Sequence, residues 1–122
     1  MYSEDKGEYY DVAILLLMFN RPNETLKVLK KIIEQNPKTL YVACDGAREH
    51  LPSEAKTVAK LRNQVKLEVK DIPDVKFLFQ EKNLGCKNAV SNAITWFFSN
   101  VEHGIIIEDD CLPNASFFRF SK

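Results

Sequence analysis

Val12-Ala-Ile-Leu-Leu-Leu-Met18 runs without a break into Phe19-Asn20-Arg21-Pro22-Asn23. The first part is uniformly apolar and rich in branched side chains. A short run of that kind suits a strand covered on both faces, the usual situation in a parallel sheet. It is the longest apolar run in the chain and far too short to cross a bilayer. Pro22-Asn23 then predicts a change of structure. Asn23 is the expected helix N-cap and Glu24 suits the first turn. Leu26, Leu29, Ile32 and Ile33 recur at helical spacing and form one apolar face, which Asn36-Pro37 ends.

The same alternation continues outward. Leu40-Tyr-Val-Ala-Cys44 reads as a second buried strand, closed by Asp45-Gly46, a turn signal. Pro52-Ser53-Glu54 opens a second helix whose buried stripe is Val58, Leu61, Val65 and Val69, and Asp71-Ile72-Pro73-Asp74 breaks it. Val75-Lys-Phe-Leu-Phe79 is a third strand. Asn83-Leu-Gly85 makes a turn, and a helix follows through Phe98 with Val90, Ala93, Ile94 and Phe97 on one face. Gly104-Ile-Ile-Ile107 is a fourth strand running directly into Glu108-Asp109-Asp110, and Pro113 to Phe120 is expected to begin a further helix. A β-α-β-α-β-α-β order predicts an α/β fold: a Rossmann-like, mostly parallel sheet with right-handed crossovers and helices on both faces. Residues 1–11 are polar and acidic and read as a flexible leader, leaving 12–122 as one domain.

Composition limits the function classes. The chain has 122 residues, 45% hydrophobic and 28% charged, with 17 basic and 17 acidic residues. It shows no basic excess or stripe, which argues against a nucleic-acid partner. Lys27, Lys30 and Lys31 fall on one helix and read as a solvated face. Cys44, Cys86 and Cys111 are odd in number and widely spaced, so neither a disulfide framework nor a zinc knuckle is expected. Free thiols and the lack of a targeting segment point to a cytoplasmic setting, with a membrane-associated or lumenal full-length protein as the other option.

The chemistry collects where open α/β sheets bind ligands, beyond the carboxyl ends of the strands. Strand one delivers Phe19, Asn20 and Arg21, and strand two delivers Asp45. Asn83, Gly85 and Lys87 follow strand three, and Glu108, Asp109 and Asp110 end strand four. Adjacent carboxylates repel one another, and a hard divalent cation such as Mg²⁺ or Mn²⁺ offsets that repulsion. A solvated acidic turn is the alternative. Arg21, beside a helix start, suits an anion or bridges to Glu24. Asp45 accepts the imide hydrogen of a uracil ring or forms the Asp-Gly turn. Lys87 reaches a diphosphate or is an ordinary first-turn residue. No His–Cys or Ser–His–Asp set supports a nucleophile.

Taken together, these stretches resemble the nucleotide-binding half of GT-A fold glycosyltransferases over nearly all of residues 12–120. Ile14 to Asn23 looks like the family's first strand and nucleotide loop. Val42-Ala-Cys-Asp-Gly46 looks like its second strand, and Asn83-Leu-Gly-Cys-Lys-Asn88 is similar to the Asn-x-Gly element of family 2 enzymes. Ile105-Ile-Ile-Glu-Asp-Asp110 looks like the Asp-x-Asp metal motif in a Glu-Asp-Asp form. Followed by Pro113 and Phe117-Phe118, that form is similar to the one in the N-acetylglucosaminyltransferases that begin complex N-glycans.

The resemblance implies a nucleotide-diphospho-sugar donor, with UDP as the nucleotide, and a carbohydrate or glycan acceptor. It implies that Phe19, Asn20 and Arg21 line the nucleotide, with Arg21 on the diphosphate. Asp45 would meet the uracil, and Asn83, Gly85 and Lys87 would border the diphosphate or sugar. Glu108 and Asp109 would contact the sugar and ribose, and Asp110 would bind Mn²⁺ or Mg²⁺. The acceptor site and general base lie further along in such enzymes. The segment is therefore expected to be a truncated donor-binding part that is inactive by itself and self-associates through the open edge after strand four. Two other readings are a sugar-phosphate nucleotidyltransferase, disfavoured because Phe19 to Asn23 lacks a glycine, and a degenerate, non-catalytic nucleotide-binding or interaction domain.

Overall fold

The computed structural model describes residues 9–109 and 118–121. Its elements are β1 (Ala13–Met18), α1 (Pro22–Glu34), β2 (Thr39–Cys44), α2 (Pro52–Glu68), β3 (Asp74–Phe79), α3 (Cys86–Phe98), β4 (His103–Glu108) and β5 (Phe118–Ser121). The sheet runs in the order β3-β2-β1-β4-β5. β1 to β4 are mutually parallel, and β5 is antiparallel to β4. The chain is thus α/β with a mostly parallel, Rossmann-like sheet.

Burial explains the uniformly apolar strands. Every residue of β1 is buried, and alternate side chains enter different cores. Ile14, Leu16 and Met18 pack with Val28, Leu29 and Ile32 of α1 and Val58, Leu61 and Val65 of α2. Ala13, Leu15 and Leu17 pack with Ala93 and Phe97 of α3. A strand sandwiched this way has no solvent face, so it shows no polar alternation. The strand order turns at β1. The chain builds β2 and β3 to one side of it and then crosses by α3 to place β4 on the other. α1 and α2 therefore cover one face and α3 the opposite one, and a switch point lies between β1 and β4.

Four expectations are corrected. The N-cap of α1 is Arg21, not Asn23, and it makes no side-chain cap bond. Pro22 has a fixed φ and no N–H, so it takes the first helical position and moves the cap back one residue. Phe118–Ser121 is a strand, not the continuation of a helix from Pro113. The open side of β4 provides a ladder for it, with Gly104 opposite Phe120 and Ile105 opposite Arg119. Because β5 occupies that side, the expected self-association through the edge of β4 loses its basis. β4 begins at His103, one residue before the expected start at Gly104. Within the leader, Tyr10 forms a parallel bridge to Pro37 by accepting from Lys38 N at 3.1 Å and donating to Asn36 O at 3.0 Å. The rest of the leader, residues 1–8, lies outside the described residues, as do Asp110, Cys111, Pro113 and Phe117.

Candidate functional site

The parallel register brings the ends of β1 to β4 to one edge of the sheet. A cleft of about 340 Å³ opens there beneath the start of α3. Its floor and walls include Leu17, Met18 and Phe19 from the end of β1, and Ala43, Cys44 and Asp45 from the end of β2. Asn83, Gly85, Cys86 and Ala89 border it from the loop after β3 and the first turns of α3, and Arg48 borders it from the loop before α2. Phe19, Asp45, Asn83 and Gly85 are thus the sequence-predicted residues that meet around this cavity. Asn20, Arg21, Lys87, Glu108 and Asp109 do not line it. They stand at the same edge, with Arg21 and Lys87 exposed at the starts of α1 and α3.

Asp45 organises the middle of the site. Its Oδ1 accepts from Gly46 N at 2.8 Å and Leu84 N at 2.8 Å. Its Oδ2 accepts from Gly85 N at 3.1 Å and Asn83 Nδ2 at 3.1 Å. A carboxylate offers about four lone-pair positions, and all of them are used within the chain. The side chain therefore fastens the loop after β3 to the end of β2. Asn83 Nδ2 reinforces this by donating to Gly46 O at 2.7 Å. Two glycines make the approach possible. A Cβ on Gly46 would sit 2.5 Å from the carbonyl carbon of Lys82. Gly85 has a φ of +88°, a backbone state that side chains oppose.

Behind this loop, Arg62 of α2 closes the ends of β2 and β3. Its Nη2 donates to Asp45 O at 2.9 Å and Gln80 O at 2.8 Å, and its Nε donates to Cys44 Sγ at 3.5 Å. Burial pushes the Cys44 thiol above its ordinary range. That shift disfavours the thiolate, the form in which a cysteine is reactive.

A second carboxylate, Glu54 in the first turn of α2, is also buried. It accepts Arg48 Nε at 2.9 Å on Oε1 and Arg48 Nη2 at 2.5 Å on Oε2. Arg48 N adds a bond to Oε1 at 3.0 Å, and Asn20 Nδ2 donates to Oε2 at 2.7 Å. The Arg48 guanidinium beside it holds the Glu54 carboxyl down to about 2. Arg48 also lies over the Phe19 ring, 5.8 Å from its centroid. One carboxylate thus joins the loop after β1, the loop after β2 and α2. Arg48 and Glu54 were not among the predicted site residues. Their separation of six residues spans a loop, a helix cap and a proline, and no periodic pattern marks it.

At the end of β4, Asp109 faces α1. Its Oδ2 accepts from Phe19 N at 3.2 Å and Thr25 Oγ1 at 3.3 Å, and its own N–H donates to Leu17 O at 3.0 Å. Glu108 is opposite Leu17 in the register and is exposed. Strand alternation places these neighbours on opposite faces of the sheet. Among the described residues, no three His, Cys, Asp or Glu side chains are grouped as a metal site requires. Asp110, the predicted metal ligand, lies outside the described residues. Oxygen donors remain the right chemistry for Mg²⁺ or Mn²⁺. Glu108 and Asp109 alone do not form a pair converging on one ion.

A scan against protein-family models gives no match, and no curated protein matches the sequence. No helix among the described residues is long and apolar enough to cross a membrane.

Proposed function

We propose that this chain is the donor-binding part of a glycosyltransferase. It would hold a nucleoside-diphosphate sugar, with UDP as the nucleotide, for transfer of the sugar to a hydroxyl of a carbohydrate acceptor. The observation that carries this reading is the coincidence of three features at one sheet edge: the switch point between β1 and β4, the cleft under α3, and the carboxylates Glu108 and Asp109 at the end of β4. Ligands of open α/β sheets lie at such an edge.

In this reading, Phe19 offers an aromatic surface to the nucleotide. Arg21 at the start of α1 and Lys87 in the first turn of α3 supply positive charge for the diphosphate, each beside helix N–H groups. Asp45 and Asn83 fix the loop that forms the far wall. Asp109 ties the end of β4 to the loop after β1, so the acidic run and the nucleotide loop keep one spacing. Asp110 would hold the Mn²⁺ or Mg²⁺ with Glu108 near it. When bound, the ion stabilises the charge that builds on the departing nucleoside diphosphate.

Calorimetric titration with UDP, with and without Mn²⁺, tests the proposal on the wild-type chain and on Asp110→Ala. Binding that depends on the metal and disappears in the variant is the expected result. A folded wild-type chain that takes up no UDP at millimolar concentration, with or without metal, would overturn it.

A further inference from the structure

The polar groups around the cleft differ in what they still have to offer. Asp45 spends all its acceptor positions on Gly46, Asn83, Leu84 and Gly85. A ligand N–H could bond to it only by displacing one of them. Asn83 spends its amide nitrogen on Asp45 and Gly46 O. Arg48 is different. A guanidinium has five N–H donors. Glu54 takes one from Nε and one from Nη2. The Nη1/Nη2 edge keeps its donors without a partner among the described residues, on a side chain that is 44% exposed and borders the cleft.

The same side chain is held still. Glu54 grips one edge of the guanidinium from a buried position and Asn20 braces Glu54. The Phe19 ring supports the flat face of the guanidinium. A planar fork fixed on one edge is pre-organised to receive a flat or tetrahedral acceptor on the other. At Arg48 the cleft therefore offers donors to its ligand, and its buried carboxylates serve to aim and shape.

We infer that Arg48 is the residue through which this cleft recognises its ligand, its Nη1/Nη2 edge taking two lone-pair acceptors of the nucleoside diphosphate. The inference rests on the donor-binding reading and adds a contact that the resemblance does not supply. Two parts of the ligand carry the required acceptors: the diphosphate oxygens and the carbonyl edge of the base. Glu54 acts through Arg48 and is a positioning residue.

The test is calorimetric binding of UDP, uridine and pyrophosphate to the whole chain in three forms. These are wild type, Arg48→Lys and the double variant Arg48→Met/Glu54→Gln. Lysine keeps the charge but loses the second edge. The double variant removes the cation together with the carboxylate it would otherwise strand. UDP affinity is expected to fall roughly tenfold or more in both variants. A parallel loss for pyrophosphate but not uridine identifies the phosphates as the acceptors, and a parallel loss for uridine identifies the base. If wild type binds UDP and both variants bind it equally well, the inference fails and the donor reading stands. If folded wild type binds neither UDP nor pyrophosphate, both fail. Phenylglyoxal mapping of the wild-type chain needs no substitution. UDP should slow adduct formation at Arg48, and an unchanged rate overturns the inference.

Discussion

The two faces of the sheet are covered by different means. On one, α1 and α2 lie side by side and bury an aliphatic layer of Val28, Leu29, Ile32, Val58, Leu61 and Val65 against β1, β2 and β4. On the other, α3 lies alone over Ala13, Leu15, Leu17, Tyr41 and Ala43 and contributes Ala93 and Phe97. Strands spaced about 4.8 Å apart make a four-strand layer roughly 14 Å wide between outer axes, and a helix is about 10 Å across. Two helices cover more of such a layer than one does. The cleft lies on the face with one helix, where Leu17, Ala43 and Leu78 meet Ala89 and Val90. The cleft thus borders the part of the sheet that the crossover topology leaves under a single helix.

The largest expected effect separates the two faces. Phe97 is fully buried, and its ring meets Tyr41 edge-on at 5.0 Å. Phe97→Ala should cost about 3–5 kcal/mol in chemical denaturation, because it leaves a large cavity in the core under α3. Leu29→Ala, beneath the paired helices, should cost about 2–5 kcal/mol. The comparison is sharpened by what else changes. Losing Phe97 lets α3 shift and moves the wall formed by Cys86, Ala89 and Val90, so the reaction rate of Cys86 with a thiol reagent should change. Losing Leu29 should leave that rate alone. Equal effects on Cys86 would mean that the two faces are mechanically coupled and that the cleft does not belong to one of them.

A smaller effect is expected where the cleft is tied shut from below. Asp45→Asn keeps the shape but turns one acceptor oxygen into a donor that faces backbone N–H groups. It should cost about 1–3 kcal/mol and speed hydrogen exchange at Leu84 and Gly85, with the amides of β1 unaffected. Exchange at those two amides that matches wild type would show that the loop holds without the carboxylate.

How much of this was readable beforehand depends on the kind of interaction. β1, β2 and β4 were legible because burial on both faces leaves an unbroken apolar run, as in Ile14 to Met18. The helices were legible because α1 and α2 each bury one stripe. Asp45 and Asn83 were placed at the right edge, since strand ends fix them. What they bond to was hidden: backbone N–H groups for Asp45, and the Asp45 carboxylate and Gly46 carbonyl for Asn83, are brought together by a fold and not by a spacing. Arg48 was hidden for the same reason, its partner Glu54 being visible only as a good first-turn residue. β5 was misread because Phe118-Arg119-Phe120 is too short to show a period, and the free side of β4 decides its structure.

The smallest expected effect lies at β3, an edge strand of the sheet. There the covering is done by side chains. Lys76 extends over the Tyr41 ring at 5.3 Å on the face that α3 leaves thin, and its Nζ bonds both oxygens of Asp74 at 2.9 and 3.0 Å. On the opposite face, Lys66 of α2 lies over Phe79 at 5.6 Å and Phe77 at 5.9 Å. Both members of the Lys76–Asp74 pair are substantially exposed, at 44% and 49%, so water screens their attraction. Lys76→Ala should therefore cost no more than about 1 kcal/mol in denaturation, most of it from uncovering Tyr41 and little of it salt-dependent. A loss above about 2 kcal/mol would show that a lysine stem substitutes for a helix in closing that face. The width argument for the position of the cleft would then fail, since the sheet would be covered as completely on the α3 side as on the other.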